Sequence, residues 1–388
     1  MSPISQTVSD LPLPGPDALE HSRRLAEHIR EEIRAAGGAL PFARYMELAL
    51  YAPGLGYYSA GARKFGAAGD FVTAPELSPL FSRCLARQCA EVLEDLGQGS
   101  ILELGAGSGV MAADILAELA RMQRLPREYL IMEVSADLRE RQQALLAERV
   151  PALLPRVRWL DELPEPFSGV ILGNEVLDAL PAERFRKTAA GYAQYCVAEQ
   201  GEGFTWTQAL VSEELAAALD ELEETLPAPL PEGYQSEICL DLPPLLASLS
   251  NMLVRGAALF LDYGHPRAAF YHPDRSMGTL MCHYRQRAHG DPFLYPGLQD
   301  ITVHVDFTAV AEAATNAGFE LAGYTTQAHF LLGLGIAEIA GTDMTATQQV
   351  KLLTLPEEMG ERFKAIGFTK GLALELQGFV LRDLSHTL

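Results

Sequence analysis

The stretch Ile101-Leu102-Glu103-Leu104-Gly105-Ala106-Gly107-Ser108-Gly109 limits what this chain can fold into more than any other segment. A short apolar run ends in three alternating glycines, and residues 110–122 then carry a helical pattern. Without a Cβ, glycine lets the backbone turn tightly and lie against a ligand. A glycine pattern gains meaning when it follows a strand and opens a helix. The alternation continues with strand-like residues 129–134, helical residues 138–148, and strand-like runs at 157–160, 170–172 and 257–262. Such a βαβα order predicts an α/β fold with a mostly parallel sheet and helices on both faces. Residues 319–326 and 373–381 are expected to close that sheet as an antiparallel C-terminal hairpin.

The loop also narrows the ligand. A dinucleotide fold prefers G-x-G-x-x-G, where the third glycine lets the helix pack closely. Here Val110 stands at that third position, and the pattern is G-x-G-x-G with Glu103 two residues ahead of it. This favours a Rossmann-like methyltransferase loop over a nicotinamide site. It predicts S-adenosylmethionine as ligand, a nucleoside joined to a cationic amino acid. Glu103 then serves the methionyl ammonium, while Gly105, Ala106, Gly107 and Gly109 form the cradle. Glu133 ends the second strand 24 residues after Gly109, close to the ~20 expected of a ribose-binding acid. Val134 and Ser135 follow it, and Ser135 can cap the next helix. Asp161 and Glu162 follow the third strand, where they either reach the adenine amino group or are surface acids.

Candidate chemistry follows the fourth strand, in Gly173-Asn174-Glu175-Val176-Leu177-Asp178-Ala179-Leu180-Pro181. Ligands of open α/β sheets bind beyond the carboxyl ends of the strands. If this loop starts a helix, Glu175 and Asp178 share a face. Two carboxylates suit a guanidinium acceptor, whose planar fork matches them. The bland alternative is a helix cap plus a surface acid. Two further segments carry similar pairs of readings. In Gly69-Asp70-Phe71-Val72-Thr73-Ala74-Pro75-Glu76, Thr73 and Glu76 fit either a functional loop or a capping box. His304 is a candidate base, while the nearby Asp306 reads as a helix cap. The histidines show no metal-ligand spacing, so no metal site is expected.

Residues 1–15 read as a loose tail, 16–97 as an N-terminal helical region with a Gly-rich loop, and 98–388 as the core. The acidic, helix-prone stretch within 190–255 is expected to be an inserted helical subdomain, and 264–305 a long loop region with the potential to act as a lid. The chain has 51 acidic against 30 basic residues, a formal net charge of -21. That field disfavours nucleic acid and anionic membranes and favours a cationic partner. Five scattered cysteines without a CxxC argue against a disulfide framework or structural zinc. Together with the absence of a secretory pattern in the first thirty residues, they lead to an expected cytoplasmic setting. No stretch is apolar for long enough to span a bilayer. A homo-oligomer remains open.

Several motifs, the glycine loop among them, resemble the MidA-like methyltransferase family, whose mitochondrial members are assembly factors of respiratory complex I. They are Gly56-Tyr57-Tyr58, Gly69-Asp70-Phe71 through Pro75-Glu76, Glu103 to Gly109, Glu133-Val134-Ser135, Asn174-Glu175 with Asp178-Ala179 and Pro181, Asp262-Tyr263-Gly264, and Gln299-Asp300 through His304 to Phe307. The resemblance implies a class I core with S-adenosylmethionine as donor. It implies that Asp70, Thr73 and Glu76 lie near that donor, and that Asn174, Glu175 and Asp178 line the acceptor side, Asn174 also joining the donor set. In the mitochondrial branch it implies arginine methylation of a complex I subunit. The leading expectation is a protein methyltransferase with arginine favoured. A small-molecule methyltransferase and a non-catalytic assembly factor of the same fold stand as alternatives.

Overall fold

The computed structural model describes residues 11–60 and 73–388. The chain divides into two compact units, one built from Met1–Phe71, Asp178–Leu242 and Arg267–His304, the other from Val72–Leu177, Pro243–Pro266 and Val305–Leu388.

The second unit is organised by an eight-stranded sheet. Its strands are β1 (Ser100–Leu104), β2 (Tyr129–Met132), β3 (Val157–Leu160), β4 (Phe167–Asn174), β5 (Leu253–His265), β6 (Glu320–Thr326) and β7 (Phe363–Lys370), with Val305–Asp306 pairing onto the end of β5. Their order is β6-β7-β5-β4-β1-β2-β3. The five strands from β5 to β3 are parallel, while β7 runs antiparallel to β5 and β6 antiparallel to β7. The chain starts in mid-sheet at β1, runs outward to β3, then returns to the far side of β1 as β4. Such a reversal leaves a crevice beyond the strand ends of β1 and β4. This is the class I methyltransferase arrangement.

Three helices show how the sequence sets this frame. Helix α1 (Pro79–Leu96) starts with proline at its first position, and the Ser78 side chain caps it by accepting from Leu80 N. Helix α2 (Val110–Arg121) begins directly after Gly109, and α3 (Ala136–Arg149) is capped by Ser135, which accepts from Leu138 N. Phe81, Leu85, Ile115 and Leu119 from α1 and α2 meet Ile101, Ile131, Leu172 and Leu259 of the sheet in one buried cluster. Strands covered on both faces need unbroken apolar runs, which is why the central strands stood out in the sequence.

The first unit is built differently. Strands Leu40–Pro41, Gly191–Gln200, Glu183–Thr188, Gln235–Ile238 and Gly203–Leu210 form an antiparallel sheet. Helix Pro16–Ala35 packs Leu25 and Ile29 into a cluster with Phe42, Tyr45, Val197 and Ile301. Helix Glu213–Thr225 buries Leu215, Leu219 and Leu222 against Phe185 and Tyr271.

Four sequence expectations change here. The insertion lies at 178–242 rather than 190–255, and it is largely a sheet carrying one helix. Residues 264–305 are not a long loop: Met281–Tyr284, Arg287–His289 and Asp300–Thr302 form a second antiparallel sheet. The N-terminal region 16–97 does not hold together as one domain, because α1 packs with the parallel sheet. The closing hairpin pairs Glu320–Thr326 with Phe363–Lys370, while the expected strand at 373–381 is coil and a short helix, Gln377–Val380. Residues 1–10 of the expected tail lie outside the described residues. All five cysteines are free thiols, four of them buried and Cys239 partly so. Among the described residues no helix is long and apolar enough to cross a membrane.

Candidate active site

The site is assembled within the parallel-sheet unit, from the ends of β1, β2 and β4. Gly105, Gly107 and Gly109 hold φ values of 62°, 53° and 85°, a region costly for residues with a Cβ. At Gly105 a Cβ would also stand 2.9 Å from Val176 Cγ1. The loop is anchored by Gly105 N donating to Met132 O at 3.1 Å. Just before it, Glu103 is buried and accepts a 2.6 Å bond from the Tyr129 hydroxyl on β2. Burial pushes the Glu103 carboxyl up to about 7; the Tyr129 bond opposes this, and the Glu133 charge adds to it.

The segment before α1 meets the same loop. Ser108 Oγ donates to the Glu76 carboxylate, linking the short helix Ala74–Leu77 to the glycine turn. Thr73 sits at the N-cap of that helix but makes no side-chain cap bond, so the capping box open to the sequence does not form. Asp70 lies outside the described residues.

At the end of β2, Glu133 is buried and doubly held. Its Oε1 accepts from Ser135 N at 3.0 Å, and its Oε2 accepts from Gln142 Nε2 at 3.1 Å. Beside it Val134 is 69% exposed, presenting apolar surface at the strand end. Arg139 donates to the carbonyls of Glu133 and Leu160, both at 2.6 Å, and pairs with Asp161 at 2.8 Å. Asp161 is thus an exposed acid at the end of β3, neutralised by Arg139.

At the end of β4, Asn174 Nδ2 donates to Glu175 Oε1 at 3.2 Å. Glu175 holds φ at 52°, its N–H bonded to Leu261 O at 2.9 Å. Buried Asp262 on β5 accepts from Leu177 N at 2.9 Å, pinning the loop that follows. Residues 174–178 start no helix, so the expected shared face of Glu175 and Asp178 does not arise. Asp178 and His304 belong to the antiparallel unit. There Asp178 is buried, and its carbonyl accepts from Val303 N at 3.0 Å. The charges of Asp300 and Asp178 add to burial in raising the Tyr58 phenol, whose hydroxyl donates to Asp300 at 2.9 Å. His304 N donates to Thr279 Oγ1 at 3.0 Å. Asp306 is a cap, accepting from Thr308 N and Ala309 N.

The structure thus brings together Glu76, Glu103, the glycines, Glu133, Ser135, Asn174 and Glu175. Sequence reasoning missed Tyr129, Arg139, Gln142 and Trp159, which are ordinary strand and helix residues with no motif around them. Among the described residues no group of three His, Cys, Asp or Glu side chains could hold a metal ion.

The donor set fits S-adenosylmethionine. Two acids stand at the ends of adjacent strands, and between them lies a glycine turn whose three glycines all hold positive φ. The strand order and this site define a class I methyltransferase. A family of S-adenosyl-L-methionine-dependent methyltransferases matches residues 84–325, and the chain belongs to it. It is 47% identical to a Burkholderia thailandensis protein of the COG1565 superfamily, solved with S-adenosyl-homocysteine bound. That match covers 98% of this chain and 100% of the other, with a TM-score of 0.93. The mitochondrial protein arginine methyltransferase NDUFAF7 of Danio rerio is 28% identical, over 88% of this chain and 86% of its own length. The Mus musculus protein of the same name is 29% identical, over 87% and 83%. The chain is accordingly a methyltransferase that uses S-adenosylmethionine. The cytoplasmic setting expected from the sequence is corrected by these relatives, whose names place them in mitochondria. Free cysteines do not tell one reducing compartment from another.

Proposed function

We propose that this enzyme transfers the methyl group to an arginine of a cationic protein. The observation that carries the reading is Glu175, an acid held in the left-handed region at the carboxyl end of β4. Non-glycine residues keep such a conformation, at a cost of about 1–3 kcal/mol, chiefly where surrounding contacts impose it and function uses it. The net charge of -21 and the relatives named as protein arginine methyltransferases support the same acceptor.

In this reading Glu133 takes the ribose hydroxyls and ionised Glu103 attracts the methionyl ammonium, directly or through water. Glycines 105, 107 and 109 let the backbone approach the donor. The donor supplies an already activated methyl on its sulfonium, so the protein's work is orientation. Glu175 aligns the guanidinium by a charge-assisted hydrogen bond. As the guanidinium nitrogen bonds to the methyl carbon, the carbon–sulfur bond breaks and its electrons stay on sulfur. The methylated nitrogen then loses its proton. A respiratory complex I subunit is the first acceptor to test.

The test is to incubate cell protein with methyl-labelled S-adenosylmethionine and either the wild type or Glu175→Gln. Methylarginine formed by the wild type alone supports the reading. Label found only in small molecules points to a small-molecule methyltransferase. Intact donor binding without transfer to anything points to an assembly factor.

A further inference from the structure

Gln142 lies on α3 and is fully buried, and both polar atoms of its amide are hydrogen-bonded. Its Nε2 donates to Glu133 Oε2 at 3.1 Å and to the Gly107 carbonyl at 2.9 Å. Its Oε1 accepts from Trp159 Nε1 at 2.8 Å. An indole can only donate, so Trp159 decides which way the amide points. The oxygen must face β3, and the nitrogen must face the end of β2 and the glycine turn. The packing is equally close: a Cβ on Gly109 would meet Gln142 Cγ at 3.2 Å and Cα at 3.3 Å. A single side chain therefore joins the ribose-side acid, the glycine loop and the third strand.

We propose that Gln142 is a positioning residue for methyl-donor binding. It fixes the rotation of the Glu133 carboxylate and the distance from that carboxylate to the glycine loop, while its own side chain is closed off from any ligand. Trp159 acts one step further out, by holding the amide in the productive orientation. The inference rests on Glu133 being the ribose acid. Buried partners of this kind matter because a binding group left free to rotate must be ordered again each time a ligand arrives.

The experiment is a calorimetric titration of S-adenosylmethionine into the wild type, Gln142→Met, Gln142→Glu, Glu133→Gln and the Gln142→Met/Glu133→Gln double variant. Gln142→Met keeps the side chain's length and loses both donors. It should weaken binding about tenfold in the wild-type background, on the scale of one charge-assisted hydrogen bond made poorly. In the Glu133→Gln background the same change should cost less than about threefold, because contacting residues are not additive. Gln142→Glu adds a signature that a purely structural role would not give. The protonated acid can still donate to Glu133, whereas the ionised one repels it. Its affinity should therefore fall relative to wild type as pH rises.

An equal loss in both backgrounds, or no loss from Gln142→Met, overturns the inference, as does an unchanged pH profile in Gln142→Glu. If Glu133→Gln binds like wild type, the ribose reading fails first and takes the inference with it. If Glu133→Gln binds weakly while Gln142→Met binds normally, only the inference falls. Should Gln142→Met not fold, Trp159→Phe replaces it in the same cycle. It should show a smaller loss that again depends on Glu133, and independence from Glu133 overturns the proposal.

Discussion

The Tyr129 hydroxyl donates to Glu103 across the β1–β2 pair at 2.6 Å, and both side chains are closed to solvent. The bond partly offsets the burial that raises the Glu103 carboxyl from 4.5 to about 7. Between those values the native state holds a proton that the unfolded state has lost. The contribution of Glu103 to stability is therefore fully present below the lower value and is lost as pH rises through the upper one, by at most about 3 kcal/mol. Donor binding runs the other way, because a cationic ammonium favours ionised Glu103. Affinity for S-adenosylmethionine should rise as pH increases through about 7 and lose that dependence in Glu103→Gln. Tyr129→Phe should move the midpoint upward. Calorimetry across this pH range checks both, and a flat wild-type profile would remove Glu103 from the donor site.

Glu133→Ala should weaken donor binding by roughly 1.5–3 kcal/mol for each charged hydrogen bond to the ribose. Loss of the two bonds it accepts from Ser135 N and Gln142 Nε2 should also loosen the start of α3. Titration with S-adenosylhomocysteine reads the first effect and ligand-free melting the second. An affinity equal to wild type would reassign Glu133 to structure alone.

Gly105→Ala tests the cradle. Its φ of 62° costs an alanine about 1–2 kcal/mol, and the new methyl would press on Val176. The variant should melt at a lower temperature and bind the donor less well. Normal binding in a folded variant would contradict a close approach of ligand to that backbone.

Glu175→Gly should separate stability from activity. Glycine accepts a φ of 52° without strain, so the variant should be as stable as wild type or more so, by up to about 1 kcal/mol. Donor affinity should be kept and transfer to protein arginine lost. Retained transfer would exclude Glu175 from acceptor alignment.

The legible parts of the sequence were those where local chemistry and fold point the same way. The run into Gly105 and the acid ending β2 carry their own context, and the central strands are apolar because both faces are covered. The antiparallel unit hides for a physical reason. Its hairpin Met281–Tyr284 to Arg287–His289 turns through Arg285 and Gln286, at φ values of 49° and 61°. Such a turn ordinarily announces itself with Asn-Gly or Asp-Gly. Residues 199–233 read as one helix-prone acidic insertion, although they hold a strand, Gly203–Leu210, and a helix, Glu213–Thr225. The closing strand was misplaced because 373–381 is as apolar as Phe363–Lys370 and periodicity cannot choose between them. Gln142 was invisible because a glutamine in a polar helix says nothing until its neighbours are known.

The cysteines have a consequence of their own. Burial holds the thiols of Cys84 and Cys239 up to about 12 and that of Cys196 up to about 11, and it raises Cys89 and Cys282 as well. Only the thiolate reacts with electrophiles, so burial slows the reaction of all five thiols in the intact protein. Cys84 and Cys89 lie in the parallel-sheet unit, and Cys196, Cys239 and Cys282 in the antiparallel one. Each unit thus carries its own internal record of opening. An alkylating reagent followed by peptide mapping would tell which half of the chain breathes first.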